Sequence, residues 1–181
     1  MAVRMPDALV THKDEIDEKE YKKIVRGIEK ALKSVNKYRS DEGKALEKDF
    51  LEHTQNILHL LEEVVEMDPD RIEAVRERLR KAVAELKDKV DENRFEQELI
   101  YYLEKYDITE EKVRLQNHLE YFRKALKSKD SNGKKLGFIT QEIGREINTI
   151  GSKANYAPMQ HLVVQMKDEL EKMKEQALNV L

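Results

Sequence analysis

The feature that most constrains this chain is an apolar spacing of three and four residues that continues from Ile24 to Met67. Such spacing places apolar side chains along one side of an α-helix. If it is unbroken, this helix has about 48 residues and is roughly 70 Å long, which exceeds a compact four-helix domain of this size. The pattern therefore predicts one long helix or two collinear ones, with Gly43 as the weakest point.

The composition excludes several other classes of protein. The 181 residues include only 6 glycines and 3 prolines, too few for the many turns of a sandwich, a barrel or a doubly wound sheet. The absence of cysteine excludes disulfides, thiolate zinc sites and a cysteine nucleophile. No apolar run approaches 18 residues, and the charged start lacks a signal-peptide stretch. We expect an all-α cytoplasmic protein, with long antiparallel helices and a C-terminal helical bundle.

Breaks in the pattern divide the chain into three predicted segments. Residues 1–16 form a lead-in without a usable period, 17–90 form a long helical hairpin, and 91–181 form a C-terminal helical domain that carries the site. The hairpin is predicted to reverse at Asp68 and Pro69, because aspartate can cap a helix whose first position is proline.

Three later helices are indicated by capping signals and apolar stripes. Asp107 to Glu110 has the form of a capping box at the start of one helix. A second is predicted over 135–150, with Gly151 placed to end it. A last helix begins near Met159 and has a heptad seam that is suited to packing on another helix. No strand is predicted.

The charges and motifs leave few kinds of chemistry. The net charge of −3 is not that of a generally basic nucleic-acid binder, so a polyanion would need a local basic patch. Phosphate loops, serine-hydrolase elbows and histidine zinc motifs are absent. Glu111, Arg114 and His118 share one helix face, where the imidazole is a candidate acid, base or metal ligand. A surface network of the same three side chains is the competing interpretation.

The segment 138–153 has an unusual polar helix face. Glu142 and Glu146 are one turn apart and can hold a divalent cation together, while Arg145 can bind a phosphate. Gly144 costs about 1 kcal/mol in a helix relative to alanine unless another group must approach it closely. A polar helix–helix contact in an oligomer explains the same residues nearly as well.

Several motifs of the second half of the chain are characteristic of one family. They are Asp107-Ile108-Thr109-Glu110-Glu111, Arg114-Leu115, His118, Gly133-Lys134-Lys135-Leu136-Gly137-Phe138-Ile139, Gln141-Glu142, Arg145-Glu146-Ile147-Asn148-Thr149, Gly151-Ser152-Lys153, Met166-Lys167, Glu169, Glu171-Lys172 and Glu175-Gln176. Over about residues 91–179 the sequence resembles the C-terminal part of the YicC-like family of bacterial endoribonucleases. Upstream, Arg39, Glu42-Gly43 and Leu46 resemble the family's R-x-x-E-G-x-x-L stretch more loosely.

The resemblance implies a metal-dependent endoribonuclease of the bacterial cytoplasm. Such an enzyme cuts single-stranded or structured RNA with a divalent cation, Mn²⁺ or Mg²⁺, and forms a homo-oligomer, expected to be a hexamer. It has no membrane or DNA partner, and small-RNA turnover is a candidate role. Family members carry an N-terminal α/β domain before the point that corresponds to Met5-Pro6, so residues 1–16 are interpreted as the lead-in from a domain that this chain lacks.

The family's motifs suggest roles for individual residues. The candidate catalytic residues are His118, Glu111, Glu142 and Glu146, and the three glutamates are the candidate cation ligands. The candidate RNA-binding residues are Arg114, Gln141, Arg145, Asn148, Ser152 and Lys153. Two other hypotheses remain: a non-catalytic helical scaffold for RNA binding or oligomerisation, and a structural long-helix protein.

Overall fold

The computed structural model describes residues 17–85, 92–128, 133–178 and 180, and all but ten of these are helical. The helices are α1 (Glu18–Glu85), α2 (Glu92–Lys105), α3 (Thr109–Leu126), α4 (Gly133–Ala154) and α5 (Ala157–Ala177). The described ranges contain no strand. The predicted all-α class is therefore confirmed. The lead-in predicted over residues 1–16 lies outside the described residues.

The chain divides into two compact units, residues 1–44 and 45–181. In the first unit, α1 continues through Gly43, the predicted weak point. Six large apolar side chains of this unit are each more than half exposed, and we call them the apolar stripe: Tyr21, Ile24, Ile28, Leu32, Val35 and Tyr38. Their spacing of three and four residues is that of a helix face that another helix covers.

The second unit has a continuous hydrophobic core, and α4 packs against both α3 and α5. Two glycines of α4 face α5 closely. A Cβ atom would lie 3.1 Å from Leu170 Cδ2 at Gly144 and 3.0 Å from Val163 Cγ1 at Gly151. Close approach therefore accounts for a glycine in the middle of α4.

The predicted end of α4 at Gly151 is wrong, because this glycine serves the contact with α5 instead. The helix continues to Ala154, and Asn155 follows with a φ of 34°. Asparagine tolerates this left-handed conformation better than most residues do. Gln160 Nε2 donates to the Gly151 carbonyl at 2.6 Å and joins the start of α5 to the last turn of α4.

The predicted hairpin turn at Asp68 and Pro69 is also wrong, since Pro69 lies inside α1. The side chain expected to cap a helix is instead buried in an ion network. Asp68 accepts from Arg71 Nε at 2.7 Å and from Lys112 Nζ at 2.6 Å, and Arg71 Nη1 donates to the Tyr106 carbonyl at 3.1 Å. These contacts hold the residues on both sides of Pro69, while Pro69 itself is exposed. Tertiary contacts therefore override the local tendency of Asp68 and Pro69 to start a new helix.

A polar cluster joins α1 to α5. Glu169 Oε2 lies 2.8 Å from His53 Nδ1 and accepts from Asn56 Nδ2 at 2.8 Å, while Oε1 accepts from Lys172 Nζ at 2.6 Å. Burial raises the pKa of the Glu169 carboxyl, but the hydrogen bonds from Lys172, Asn56 and His53 outweigh it and lower the pKa to about 2.

The cluster predicts how stability responds to acid. Because the folded pKa lies below the ordinary value of 4.5, Glu169 stabilises the fold above that pH, and this contribution is lost as the pH falls towards 2. We expect Glu169→Gln to weaken the dependence of the urea midpoint on pH between 4.5 and 2. Glu171→Gln, which removes an exposed partner of Lys174, is the matched control. An equal acid dependence in wild type and Glu169→Gln would contradict the assignment.

The glycines of α4 predict opposite effects of alanine. Gly151→Ala places a methyl group against the stiff Val163 side chain and is expected to lower the free energy of unfolding by about 1 kcal/mol. Gly137→Ala meets nothing within 4 Å and is expected to raise it by about 0.5–1 kcal/mol. Urea unfolding of both variants measures the difference. A higher free energy of unfolding for Gly151→Ala would show that the contact with Val163 leaves room for a methyl group.

Candidate functional site

Two contacts at opposite ends of α3 and α4 establish that the helices are antiparallel and set their register. Lys153 Nζ of α4 donates to Glu111 Oε1 of α3 at 2.8 Å. Lys135 Nζ, near the start of α4, lies 4.8 Å from the ring centroid of Tyr121, near the end of α3. All four residues lie on the sides where the two helices meet, and we call this line of contact the α3–α4 seam.

The seam also contains the remaining candidate catalytic residues. At 100° per residue, Glu142 and Glu146 lie within about 40° of Lys135 and Lys153 around α4, and on α3 His118 lies between Glu111 and Tyr121. Linear interpolation between the two contacts puts His118 opposite residues 140–141 of α4 and Arg114 opposite residues 147–148. Helical spacing thus turns these candidates towards the side where the two helices meet.

Burial differs sharply between the three candidate glutamates. Glu142 is half-buried, whereas Glu146 is only 4% exposed and Glu111 only 6%. One oxygen of Glu111 accepts from Lys153, and the other, Oε2, is buried without a hydrogen-bond partner. Lys153 also donates to the Asp107 carbonyl at 3.0 Å. Glu111 and Lys153 therefore join the end of α4 to the start of α3.

The start of α3 is held by a second local contact. Asp107 Oδ1 accepts from the Thr109 amide at 3.2 Å and from the Thr109 hydroxyl at 2.8 Å. Burial raises the pKa of Asp107, but the bonds from Thr109 and the nearby Lys112 charge outweigh it and hold the pKa below its usual value. The predicted capping box is wrong, because the N-cap of α3 is Ile108 without a side-chain cap bond, and Asp107 instead forms a local turn with Thr109.

The four remaining polar candidates on α4 form an exposed strip next to the seam. We call this strip, which consists of Gln141, Arg145, Asn148 and Ser152, the amide strip. All four side chains are exposed. The Ser152 hydroxyl donates back to the Thr149 carbonyl at 3.0 Å. On α3, Arg114 is exposed and pairs with Glu110 at 2.5 Å. The solvent side of the α3–α4 pair is therefore polar, with cationic and amide donors.

The comparison with known proteins gives the strongest single finding. Residues 64–181 match the family model described as "Endoribonuclease YicC-like, C-terminal". The chain belongs to the YicC-like endoribonuclease family. The model covers the second part of α1 and all of α2 to α5, and so includes the seam and the amide strip.

Two curated relatives extend the match. The chain is 35% identical to a probable endoribonuclease YicC of Clostridioides difficile (strain 630) over 98% of this chain and 62% of that protein. It is 32% identical to a probable endoribonuclease YicC of Haemophilus influenzae over 78% of this chain and 50% of that protein. The chain thus spans roughly half to three-fifths of the length of these YicC relatives.

The candidate site, among the residues that the structure describes, does not contain a complete cation cage. Among residues 17–85, 92–128 and 133–178, no group of three or more histidine, aspartate or glutamate side chains is arranged to hold a metal ion. Glu111 is therefore not brought together with Glu142 and Glu146 as a three-carboxylate centre. The pair Glu142 and Glu146, one turn apart on the seam, is the arrangement that remains. Its donors are carboxylate oxygens, which Mg²⁺ and Mn²⁺ prefer.

Sequence reasoning missed two features of the YicC-like face. Tyr121 and Phe138 are large and apolar, yet they are 48% and 64% exposed beside the seam. Phe138 lies away from the isoleucines on the helical wheel of α4, and that position was the available signal. In the part of the chain that the structure describes, no helix is both long and apolar enough to cross a membrane.

Proposed function

We propose that this chain acts in metal-dependent endonucleolytic cleavage of RNA, with the α3–α4 seam as the active centre. The proposal rests above all on the match of residues 64–181, which include His118, Glu142 and Glu146, to the YicC-like endoribonuclease model. Both curated relatives are named as probable endoribonucleases. Turnover of small RNAs in the cytoplasm is the biological role that we propose for this activity.

The exposed side of the seam suits an RNA backbone. The Arg145 side chain is exposed, and a guanidinium group can bind a phosphate through two parallel hydrogen bonds. Gln141, Asn148 and Ser152 supply neutral donors and acceptors for sugars and base edges. Arg114 and Lys153 are the other proposed RNA contacts, although Glu110 and Glu111 respectively already bind them.

The seam also offers a proton carrier. His118 is half-buried on α3, on the side of the helix that also carries Glu111. Imidazole is the side chain that most readily exchanges protons near neutral pH. We propose that an oxygen of water or of the adjacent 2′-hydroxyl bonds to phosphorus as the P–O bond to the leaving oxygen breaks. His118 donates the proton that the leaving oxygen takes up, and the attacking oxygen loses its proton to solvent. Glu111 is a positioning residue, because its contact with Lys153 fixes the start of α3, seven residues before His118.

The pair of carboxylates suits a divalent cation that takes its other ligands from water and the substrate, rather than one that protein side chains enclose. Magnesium-type sites commonly use one or two protein carboxylates together with substrate phosphates and water. Glu142 and Glu146 would hold the ion, and it would supply neutralisation of the charge that develops on the phosphate. Glu146 occupies the more buried of the two positions, and Glu142 is the more exposed one.

Cleavage of a labelled RNA with Mn²⁺, with Mg²⁺ and with EDTA tests the proposal. We expect cleavage with either cation at concentrations of about 1 mM, loss on chelation and recovery when Mn²⁺ is restored. RNA binding without cleavage under every metal condition would instead support the non-catalytic scaffold. That alternative has one specific observation in its favour, namely the absence of a three-ligand metal group among the described residues.

We further propose that the protein is a homo-oligomer, with a hexamer as the expected state. The apolar stripe of residues 21–38 supports self-association, because exposed apolar side chains at heptad-like spacing are typical of helices that pair. Light scattering of wild type and Ile28→Glu tests this. A lower mass for Ile28→Glu is expected, and a monomeric wild type at micromolar concentration would contradict it.

A further inference from the structure

Two aromatic rings, Tyr121 and Phe138, are exposed on the side of the α3–α4 pair that carries the proposed RNA contacts. Phe138 is 64% exposed and Tyr121 is 48% exposed. The core of α4 is made by Leu136, Ile139 and Ile143, which lie on another side of the helix. Phe138 therefore contributes little to the hydrophobic core of the chain.

The register of the seam brings the two rings to the same end of the helix pair. Lys135 Nζ lies 4.8 Å from the Tyr121 ring centroid, and Phe138 is one helical turn after Lys135. Phe138 lies on the solvent side of α4, on the same edge as Gln141 and Arg145. The aromatic rings thus continue the amide strip towards the start of α4.

The charges around the rings favour a polyanion over an apolar partner. Lys124 on α3 and Lys134, Lys135 and Arg145 on α4 are all exposed. The acidic groups near these cations include Glu110, which pairs with Arg114, and the half-buried Glu142. Glu171 and Glu175 of α5 line one cavity with Lys134 and Gln141, and Lys174 pairs with Glu171 there. Rings set among cations and amides are the combination that binds single-stranded nucleic acids, because bases stack on the rings while cations hold the phosphates.

From this arrangement we infer that Phe138 and Tyr121 stack on unpaired bases, so that the site selects single-stranded segments of RNA over duplex. The inference rests on the proposed function and specifies its substrate class. Bases within an A-form duplex are already stacked on their neighbours, and their edges lie in grooves that a ring on a helix surface does not enter. Only unpaired bases can therefore reach these rings.

The sequence contains no tryptophan, which makes a direct test possible. Phe138→Trp introduces a single tryptophan, which can be excited selectively over tyrosine, at the proposed stacking position. Tyr101→Trp introduces one at a 63% exposed position on α2 as the matched control. In EDTA, where cleavage is blocked, we expect a 12-nucleotide single strand to quench the Phe138→Trp emission. The duplex of the same length should quench it little, and neither RNA should affect the control.

Affinity provides a second, independent readout. Phe138→Leu and Tyr121→Leu are each expected to weaken binding of the single strand about tenfold, as loss of one stacked base implies, with duplex binding unchanged. Phe138→Tyr keeps a ring and should restore most of the affinity. Arg145→Gln should weaken both RNAs, because phosphate contacts do not distinguish them.

Three results would overturn the inference. They are equal weakening of single strand and duplex by Phe138→Leu, absence of quenching at saturating single strand, and loss of oligomer mass in Phe138→Leu, which would identify the rings as an interface between copies. Because these measurements are made in EDTA, they do not depend on catalysis. Stacking without cleavage after Mn²⁺ is added would refute only the proposed function.

Discussion

Glu142→Gln is expected to lower single-turnover RNA cleavage by at least about a hundredfold while RNA affinity stays within about twofold of wild type. A carboxylate that holds a cation acts mainly on the charge that develops in the transition state, so its loss affects the rate more than binding. Glu146→Gln should have a similar effect, since the two side chains are one turn apart on the seam. The measurement is cleavage of a labelled RNA across a Mn²⁺ titration.

The controls separate chemistry from folding in this experiment. Glu171→Gln changes an exposed carboxylate on α5 and should leave the rate unchanged. Because Glu146 is buried, urea unfolding of Glu146→Gln must show an intact fold before its rate is interpreted. His118→Ala should also slow cleavage. Wild-type rates in both glutamine variants would refute the metal assignment, and a wild-type rate in His118→Ala would remove the proposed proton carrier.

Lys153→Met is expected to destabilise the second unit by about 2 kcal/mol. Removing one partner of a fully buried ion pair leaves the other charge uncompensated and lowers the free energy of unfolding by about 3–5 kcal/mol. We expect a smaller loss of about 2 kcal/mol here, because Lys153 is partly exposed and Glu111 is buried. Glu111 would then have neither oxygen bound. We expect urea unfolding to show the loss, and the double variant Lys153→Met/Glu111→Leu to recover most of it.

The exposed pair Glu110 and Arg114 on the same helix is the matched control. Arg114→Met should lower the free energy of unfolding by less than about 1 kcal/mol, because exposed ion pairs contribute little to stability. The double-mutant cycle across Glu111 and Lys153 isolates their coupling. Coupling no larger than that of the exposed pair would show that the contact does not hold the start of α3 to the end of α4.

The helices and their buried faces could be predicted because their signals are local. The stripe of Leu115, Leu119 and Phe122 on α3 is fully buried as its period requires, and the same is true of Met159 and Met166 on α5. Apolar period and side-chain burial express the same geometry in such helices. The all-α class followed directly from these stripes.

The errors arose where contacts distant in sequence changed the meaning of a local signal. Asp68 followed by Pro69 is a good helix start in isolation, yet Lys112, far along the chain, binds that aspartate in the interior of α1. Gly151 resembles a helix end, but Val163 of α5 approaches it so closely that the position must lack a side chain. The apolar period of one helix does not predict which residue of another helix will contact a given position.

For the candidate site, the sequence predicts which residues share a face of one helix, but not how the two helices are placed against each other. The shared face of Glu111, Arg114 and His118, and that of Glu142 and Glu146, follow from spacing within single helices. The relative positions of the two faces depend on the register of α3 against α4, which the contact of Lys153 with Glu111 sets at one end of the pair. The buried position of that glutamate could not be read from its residue type, since glutamate is usually exposed.

The register of α3 against α4 also limits how this sequence can change over evolutionary time. One residue inserted within α4 between Lys135 and Lys153 would rotate every later side chain by about 100° and carry part of the amide strip towards the core. One residue inserted between Ser128 and Gly133 leaves each helix face intact. Homologous sequences that differ in length should therefore vary between these two helices, and within them should accumulate substitutions alone.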